Sequence, residues 1–197
     1  MSTADRRTLI VDAAIDLIAT QGIRALTHRA IDTALQLPAG SSSYYYRTKR
    51  TLIEAIVERI TARSRADFAA AQLAPPGPLA PDAIAADIAG WLDRLLTERR
   101  NHLIVRHALI LELLADADLR ARLARSLFSA ERARNLFAAL RVADPGAAAA
   151  DFIAVLEGAI FDRFAGLRAD LAPGSPESIR QLTGLLSAFF RGVGGAT

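Results

Sequence analysis

Apolar residues recur at three- and four-residue spacing through most of the chain, which is the period of one face of an α-helix. Leu9, Ile10, Ala13, Ala14, Leu17 and Ile18 form the first such stripe and Gly22 ends it, predicting a helix over about 5–20. Thr27 stands where an N-cap belongs, ahead of Ile31, Ala34 and Leu35, and Pro38 forbids continuation of this short second helix. A third helix is expected over about 39–45, and Thr48 caps a fourth whose stripe of Leu52, Ile53, Ile56, Val57 and Ile60 runs on towards Ala71. Pro75-Pro76-Gly77-Pro78, with Pro81, reads as a stiff linker that cannot lie inside a helix. Five more helical stretches follow, roughly 82–98, 102–115, 118–141, 146–171 and 176–192. Asp144-Pro145 and Ser175-Pro176 each place a capping residue before a proline at the first helical position, and Pro173-Gly174 stops the eighth helix. No strand-like alternation of useful length appears. The expected fold is therefore all-α, with nine helices.

With 197 residues, 52% of them hydrophobic, the chain can bury a full core without a staple. It has no cysteine, which excludes a disulfide framework, thiolate nucleophiles and cysteine-ligated zinc. Asp12 and Asp16 interrupt any signal-peptide core, and no apolar run reaches the roughly 20 residues a bilayer requires, so a soluble, cytoplasmic protein with no membrane partner is expected. A net charge of +3 does not by itself imply a nucleic acid. Its distribution says more: Gly40 to Arg50 reads Gly-Ser-Ser-Ser-Tyr-Tyr-Tyr-Arg-Thr-Lys-Arg, with three serines, three tyrosines, three cations and no acid. That composition suits a phosphate backbone, and it follows a helix, a glycine stop and a second short helix, as the second helix of a helix-turn-helix does. The alternative is a polar turn beside a buried aromatic cluster.

Laid out this way, the first four helices resemble the tetracycline-repressor (TetR) family of bacterial transcription regulators. The resemblance rests on Ala13-Ala14 with Leu17, Gly22, Leu26-Thr27, Ile31, Gly40, the aromatic run ending at Tyr46, and Lys49 followed by Leu52. It is specific over about 5–60 and extends further only by helix count and length. The chain departs from the family at Gln36 (usually glycine), Pro38 (usually serine), Ser43 (usually tyrosine), Tyr45 (usually histidine) and Tyr46 (usually phenylalanine). The resemblance implies a helix-turn-helix DNA-binding domain over 1–50, with helix four, about 49–71, connecting it to an effector-binding and dimerisation domain over 51–197. It implies a non-enzymatic regulator, most simply a repressor. Such a regulator binds a palindromic double-stranded operator as a homodimer and is released by a small apolar or weakly polar effector, with no cofactor. Helix two would cross the backbone and helix three enter the major groove. Thr27, His28 and Arg29 would then sit by phosphates, while Ala39, Gly40, Ser41 and Ser43 present a small surface to base edges. Tyr44 and Tyr45 could each reach a phosphate, with Tyr45 assigned the outward role and Tyr46 packed against helices one and four. Lys49 would share a phosphate with the amides at the start of helix four.

Leu103 to Leu114 is apolar nearly all round, so this helix is expected to be central and buried, and its Arg106, His107 and Glu112 to need partners. Those partners are either internal ion pairs and hydrogen bonds or an effector. His107, Leu111, Trp91, Phe128 and Phe161 are candidate contacts for an effector bound between the fifth and eighth helices, and each aromatic by itself reads more readily as plain core. Phe152, Val155 and Ala159, with Leu182, Leu185 and Phe189, would form a four-helix interface with a second copy, unless that surface packs internally. His102 and His107 are five residues apart and point to different sides of a helix, so no metal cluster is expected. No phosphate-cradling glycine loop or serine elbow is present. The competing reading is a helical ligand carrier or protein-interaction bundle without DNA binding.

Overall fold

The computed structural model describes residues 3–71 and 80–194, and every regular element in them is a helix. In chain order these are α1 (Thr3–Gln21), α2 (His28–Ala34), α3 (Ser41–Tyr45), α4 (Lys49–Ala70), α5 (Pro81–Glu98), α6 (Arg100–Glu112), α7 (Ala117–Ala124), α8 (Ala130–Ala139), α9 (Pro145–Ala165) and α10 (Pro176–Gly194). A short 3-10 turn, Ile23–Ala25, follows α1. The fold is all-α as expected, but the stretch expected as one helix over 118–141 is two, α7 and α8. Two serines make the break. Ser126 Oγ donates to Leu123 O (2.7 Å) at the end of α7, and Ser129 Oγ accepts from Arg132 N–H (3.2 Å) as the N-cap of α8. The apolar spacing runs straight across this point, with no glycine or proline to mark it.

Pro81, expected in the linker, is the first residue of α5, where its missing N–H leaves no helical bond unmade. The rest of that linker, Pro75 to Pro78, lies outside the described residues. Asp144 caps α9 as expected, accepting from Gly146 and Ala147 N–H (3.0 and 2.9 Å). That helix ends at Ala165 rather than near 171, and a Cβ on Gly166 would come within 2.7 Å of Asp162 Cα, so only glycine fits there.

The chain divides into two compact units, Met1–Asp67 with Asn101–Leu127, and Phe68–Arg100 with Phe128–Thr197. In the first, Ile10, Ile15 and Ile18 of α1 pack with Ile31 of α2, Leu52, Ile56 and Ile60 of α4, Val105 and Leu109 of α6, and Leu119 and Leu123 of α7. Thus α6 is buried on one side only: Leu111 is 65% exposed, and Leu114 and Glu112 are exposed too, which corrects the expectation of an all-round buried helix. Arg106, by contrast, is fully buried and finds internal partners. Its Nε donates to Leu123 O (3.0 Å) and Ser126 Oγ (3.2 Å), and Nη2 donates to Ala124 O (3.2 Å). A cation thereby closes the carbonyl end of α7, where the helix dipole favours it. His107 Nδ1 lies 2.8 Å from Leu103 O.

In the second unit α5 packs along α10 and α8 along α9. Phe137 sits fully buried against Phe152, Phe189 and Phe190, with ring centroids 5.4, 6.0 and 5.8 Å away. Trp91 packs edge-on to Phe68 (5.6 Å) and Phe128 (5.9 Å). A buried polar knot joins three helices: Asp93 of α5 accepts from Gly174 N–H (2.9 Å) and from Ser178 Oγ at the start of α10, while Arg163 Nη2 of α9 donates to Ser178 Oγ (2.6 Å) and Leu171 O (2.9 Å).

Candidate nucleic-acid interface

The candidate residues lie on α2, on α3 and its preceding turn, and on the first turn of α4, all within the first compact unit. Thr27 caps α2 as expected, its Oγ1 accepting from Ala30 N–H (3.1 Å), and Arg29 in the same first turn is exposed. His28 is half-exposed, with Nδ1 3.4 Å from Ser42 Oγ. After α2 the chain turns through Gln36, at φ +52°, a left-handed conformation that costs a side chain about 1–2 kcal/mol and that glycine would adopt freely. Ala39 lies in this turn rather than in α3, and Gly40, at φ +90°, is the N-cap.

A five-residue helix has no stability of its own, so α3 must be held from outside. The holder is Asp32 of α2, a residue that the apolar spacing gave no reason to single out. Its carboxylate, 3% exposed, accepts from Gly40 N–H through Oδ2 and from Ser42 N–H through Oδ1, both at 2.8 Å. Ser42 is itself buried, and its hydroxyl donates to His28 O (3.1 Å), tying α3 back to the start of α2. Burial pushes the Asp32 carboxyl up, but the hydrogen bonds from Ser42 and Gly40 and the nearby His28 outweigh it and hold the pKa below the usual value.

With Ser42 turned inward, Ser41 and Ser43 stay partly exposed. Each donates its hydroxyl proton locally, Ser41 to Pro38 O (2.6 Å) and Ser43 to Gly40 O (2.8 Å), so both offer lone pairs outward. The tyrosines differ from the expected assignment. Tyr44 is the outward one, 81% exposed, whereas Tyr45 is half-buried against the core of the unit and meets Tyr44 edge-on at 5.2 Å. Counting two residues on from buried Ser42 would have suggested this, since Tyr46, four on, shares the buried side of the helix. Tyr46 is buried as expected, with its hydroxyl 3.5 Å from Arg7 O and the Arg7 guanidinium 5.5 Å from the ring centroid; burial raises its pKa, against the pull of Arg7.

Thr48 begins α4 in a reciprocal cap with Thr51: Thr51 N–H donates to Thr48 Oγ1 (3.1 Å) and Thr48 N–H to Thr51 Oγ1 (3.3 Å). Lys49, the first residue of α4, is exposed. Arg50, although part of the acid-free run, is engaged by acids from elsewhere, Glu54 at 3.0 Å and Asp116 at 2.9 Å. Asp116 caps α7 through Leu119 N–H (3.2 Å), and this bond, with the Arg50 cation, holds its pKa low.

The other candidates are dispersed. His107 and Leu111 belong to the first unit and Trp91, Phe128 and Phe161 to the second, so neither unit holds all five, and Leu111 is exposed. Phe152, Ala159 and Leu182 are buried within their own chain, Leu182 to 0% exposure, whereas Val155, Leu185 and Phe189 are half-buried. No described helix is long and apolar enough to cross a membrane.

Two family profiles match the chain: "Bacterial regulatory proteins, tetR family" over residues 10–56 and "Tetracyclin repressor-like, C-terminal domain" over residues 79–191. Among solved structures, the chain is similar to a TetR-family member from Streptomyces coelicolor A3, at 27% identity over 92% of this chain and 98% of that one, with a TM-score of 0.67. It is similar to the multidrug binding protein EbrR complexed with malachite green, at 26% identity over 92% and 98%, TM-score 0.63. A TetR-like transcriptional regulator from Rhodococcus sp. RHA1, 20% identical over 99% of both chains with a TM-score of 0.70, shares the fold. No curated protein matches. The profiles together span the helix-turn-helix held by Asp32 and more than half of the chain beyond it, and the chain belongs to the TetR family of bacterial regulatory proteins, as a transcriptional regulator and not an enzyme.

Proposed function

We propose that this regulator is a cytoplasmic repressor that binds a two-fold operator as a homodimer and is released by a small apolar or weakly polar molecule. The observation that carries the DNA reading is the surface of α3: Ser41, Ser43 and Tyr44 emerge from a helix whose own N–H groups are clamped by Asp32, with Arg29 and Lys49 exposed on the flanking helices. Tyr44, Arg29 and Lys49 contact phosphates and set register; the serine lone pairs accept from adenine N6 or cytosine N4 in the major groove.

Support for the homodimer comes from the outer stripes of α9 and α10. Ala154, Gly158 and Phe161, and Gly184 and Ala188, are exposed at helical spacing, and a Cβ added to Gly158 or Gly184 would meet nothing within 4 Å. Small residues on an open face allow two helix pairs to approach closely about a two-fold axis. For the effector, the support is the likeness to EbrR, which has been solved with malachite green and with ethidium, together with the Phe68, Trp91 and Phe128 aromatics of the second unit.

Fluorescence anisotropy across a salt series tests the interface. Lys49→Ala or Arg29→Ala should weaken binding to every duplex alike and lower the salt slope by about one unit per phosphate lost, while Ser41→Ala should change preference among operator variants. Unchanged slopes in both cation variants, with helical content intact, would remove DNA from this face and leave the helical ligand carrier.

A further inference from the structure

We infer that Asp32 is the positioning residue for operator recognition: its carboxylate, rather than any residue facing DNA, sets the pose of the helix that reads the bases. This rests on the reading that α3 enters the major groove. The inference starts from a conflict. Asp32 is buried on a helix whose neighbouring face, Ile31, belongs to the apolar core, and a carboxylate there is costly unless its bonds are worth more than its desolvation.

Its two backbone bonds go to one element. Both oxygens are spent on α3, one on the N-cap Gly40 and one on Ser42 at the second position of the helix, each at 2.8 Å. Two bonds from one rigid carboxylate to N–H groups two residues apart fix rotation about the axis of α3 as well as its distance from α2, which a single contact would not. Gly40, at φ +90°, lets the backbone turn so that its N–H points back to α2. The side chains that α3 turns outward, Ser41, Ser43 and Tyr44, flank Ser42 in sequence and inherit its orientation. Ser41 and Ser43 bond Pro38 O and Gly40 O instead, so the carboxylate acts on recognition through the backbone.

Recognition and non-specific binding then respond differently to its loss. Phosphate contacts from Arg29 and Lys49 originate on α2 and α4 and persist when α3 rotates, whereas base-edge contacts depend on ångström placement. Ser42→Ala provides the control, because it removes the hydroxyl, with its bond to His28 O and its share in stabilising the carboxylate, and lowers stability but keeps both backbone N–H groups of α3 on Asp32.

The experiment measures affinity for a duplex that the wild-type protein selects from a random pool and for a scrambled duplex of equal length. Wild type, Asp32→Asn and Ser42→Ala are compared at a temperature where circular dichroism shows all three folded. Asp32→Asn can keep at most one of the two acceptor bonds, so selectivity should fall by about tenfold or more while affinity for the scrambled duplex and the salt slope stay unchanged. Ser42→Ala should retain selectivity. If Asp32→Asn keeps its selectivity, or if the two variants lose it in proportion to their loss of stability, Asp32 is a structural residue only and the inference fails. If the wild type itself shows no preference and no salt-dependent DNA affinity, the DNA reading fails first and takes the inference with it.

Discussion

A carboxylate with a depressed pKa leaves a signature in acid. Because Asp32 titrates below the unfolded value of about 4, its contribution is complete above that pH and is lost as the pH falls through the folded-state pKa. Urea unfolding should therefore find Asp32→Asn about 1–3 kcal/mol less stable than wild type at pH 7, with the gap closing towards pH 3. A gap that is constant with pH would mean that shape, not charge, matters at this position. Asp32 illustrates what a single sequence hides. Thr27 was legible as a cap because its partner, Ala30, is three residues away and the spacing is fixed by helix geometry. Asp32 reaches Gly40 and Ser42, eight and ten residues on, across a turn whose path must already be known. Tyr44 and Tyr45 were confusable for a related reason: in a five-residue helix an error of one position rotates the side chain by about 100°.

The same contrast separates the helices that were read correctly from the one that was not. The starts of α9 and α10 are written in adjacent residues, Asp144-Pro145 and Ser175-Pro176, and both fall where expected. The break between α7 and α8 is made by two serines and closed by Arg106, on another helix, which donates to Leu123 O and Ala124 O, so nothing in 118–141 announces it beyond the serines. Arg106 thus joins the serines in ending α7. Replacing it with Leu keeps bulk but leaves those carbonyls and Ser126 without a cation to close them. Chemical denaturation should show a loss of about 2–4 kcal/mol, among the larger single-residue effects. A change below about 0.5 kcal/mol would assign the stop to the serines alone.

At the level of the full chain, operator reading requires two copies of α3 about 34–36 Å apart, one helical turn of DNA. Gly158→Glu probes the proposed pairing without harming the protomer, since the new side chain meets open space and a helical glycine is replaced by a better helix former. Light scattering should report a monomer, because the charge would face its own mate across the two-fold axis at a cost of several kcal/mol. A dimer that survives this change would place the contact elsewhere. The compact units do not divide at residue 50: the chain crosses from one to the other three times, after Asp67, Arg100 and Leu127. Val105, Leu109, Leu119 and Leu123 complete the core against which α1 and α4 pack. A reading head therefore cannot be transplanted between regulators as an N-terminal prefix. A graft that stops at residue 67 would carry an apolar core stripped of Val105, Leu109, Leu113, Leu119 and Leu123, and a working chimaera must bring 101–127 along as a second, separate splice.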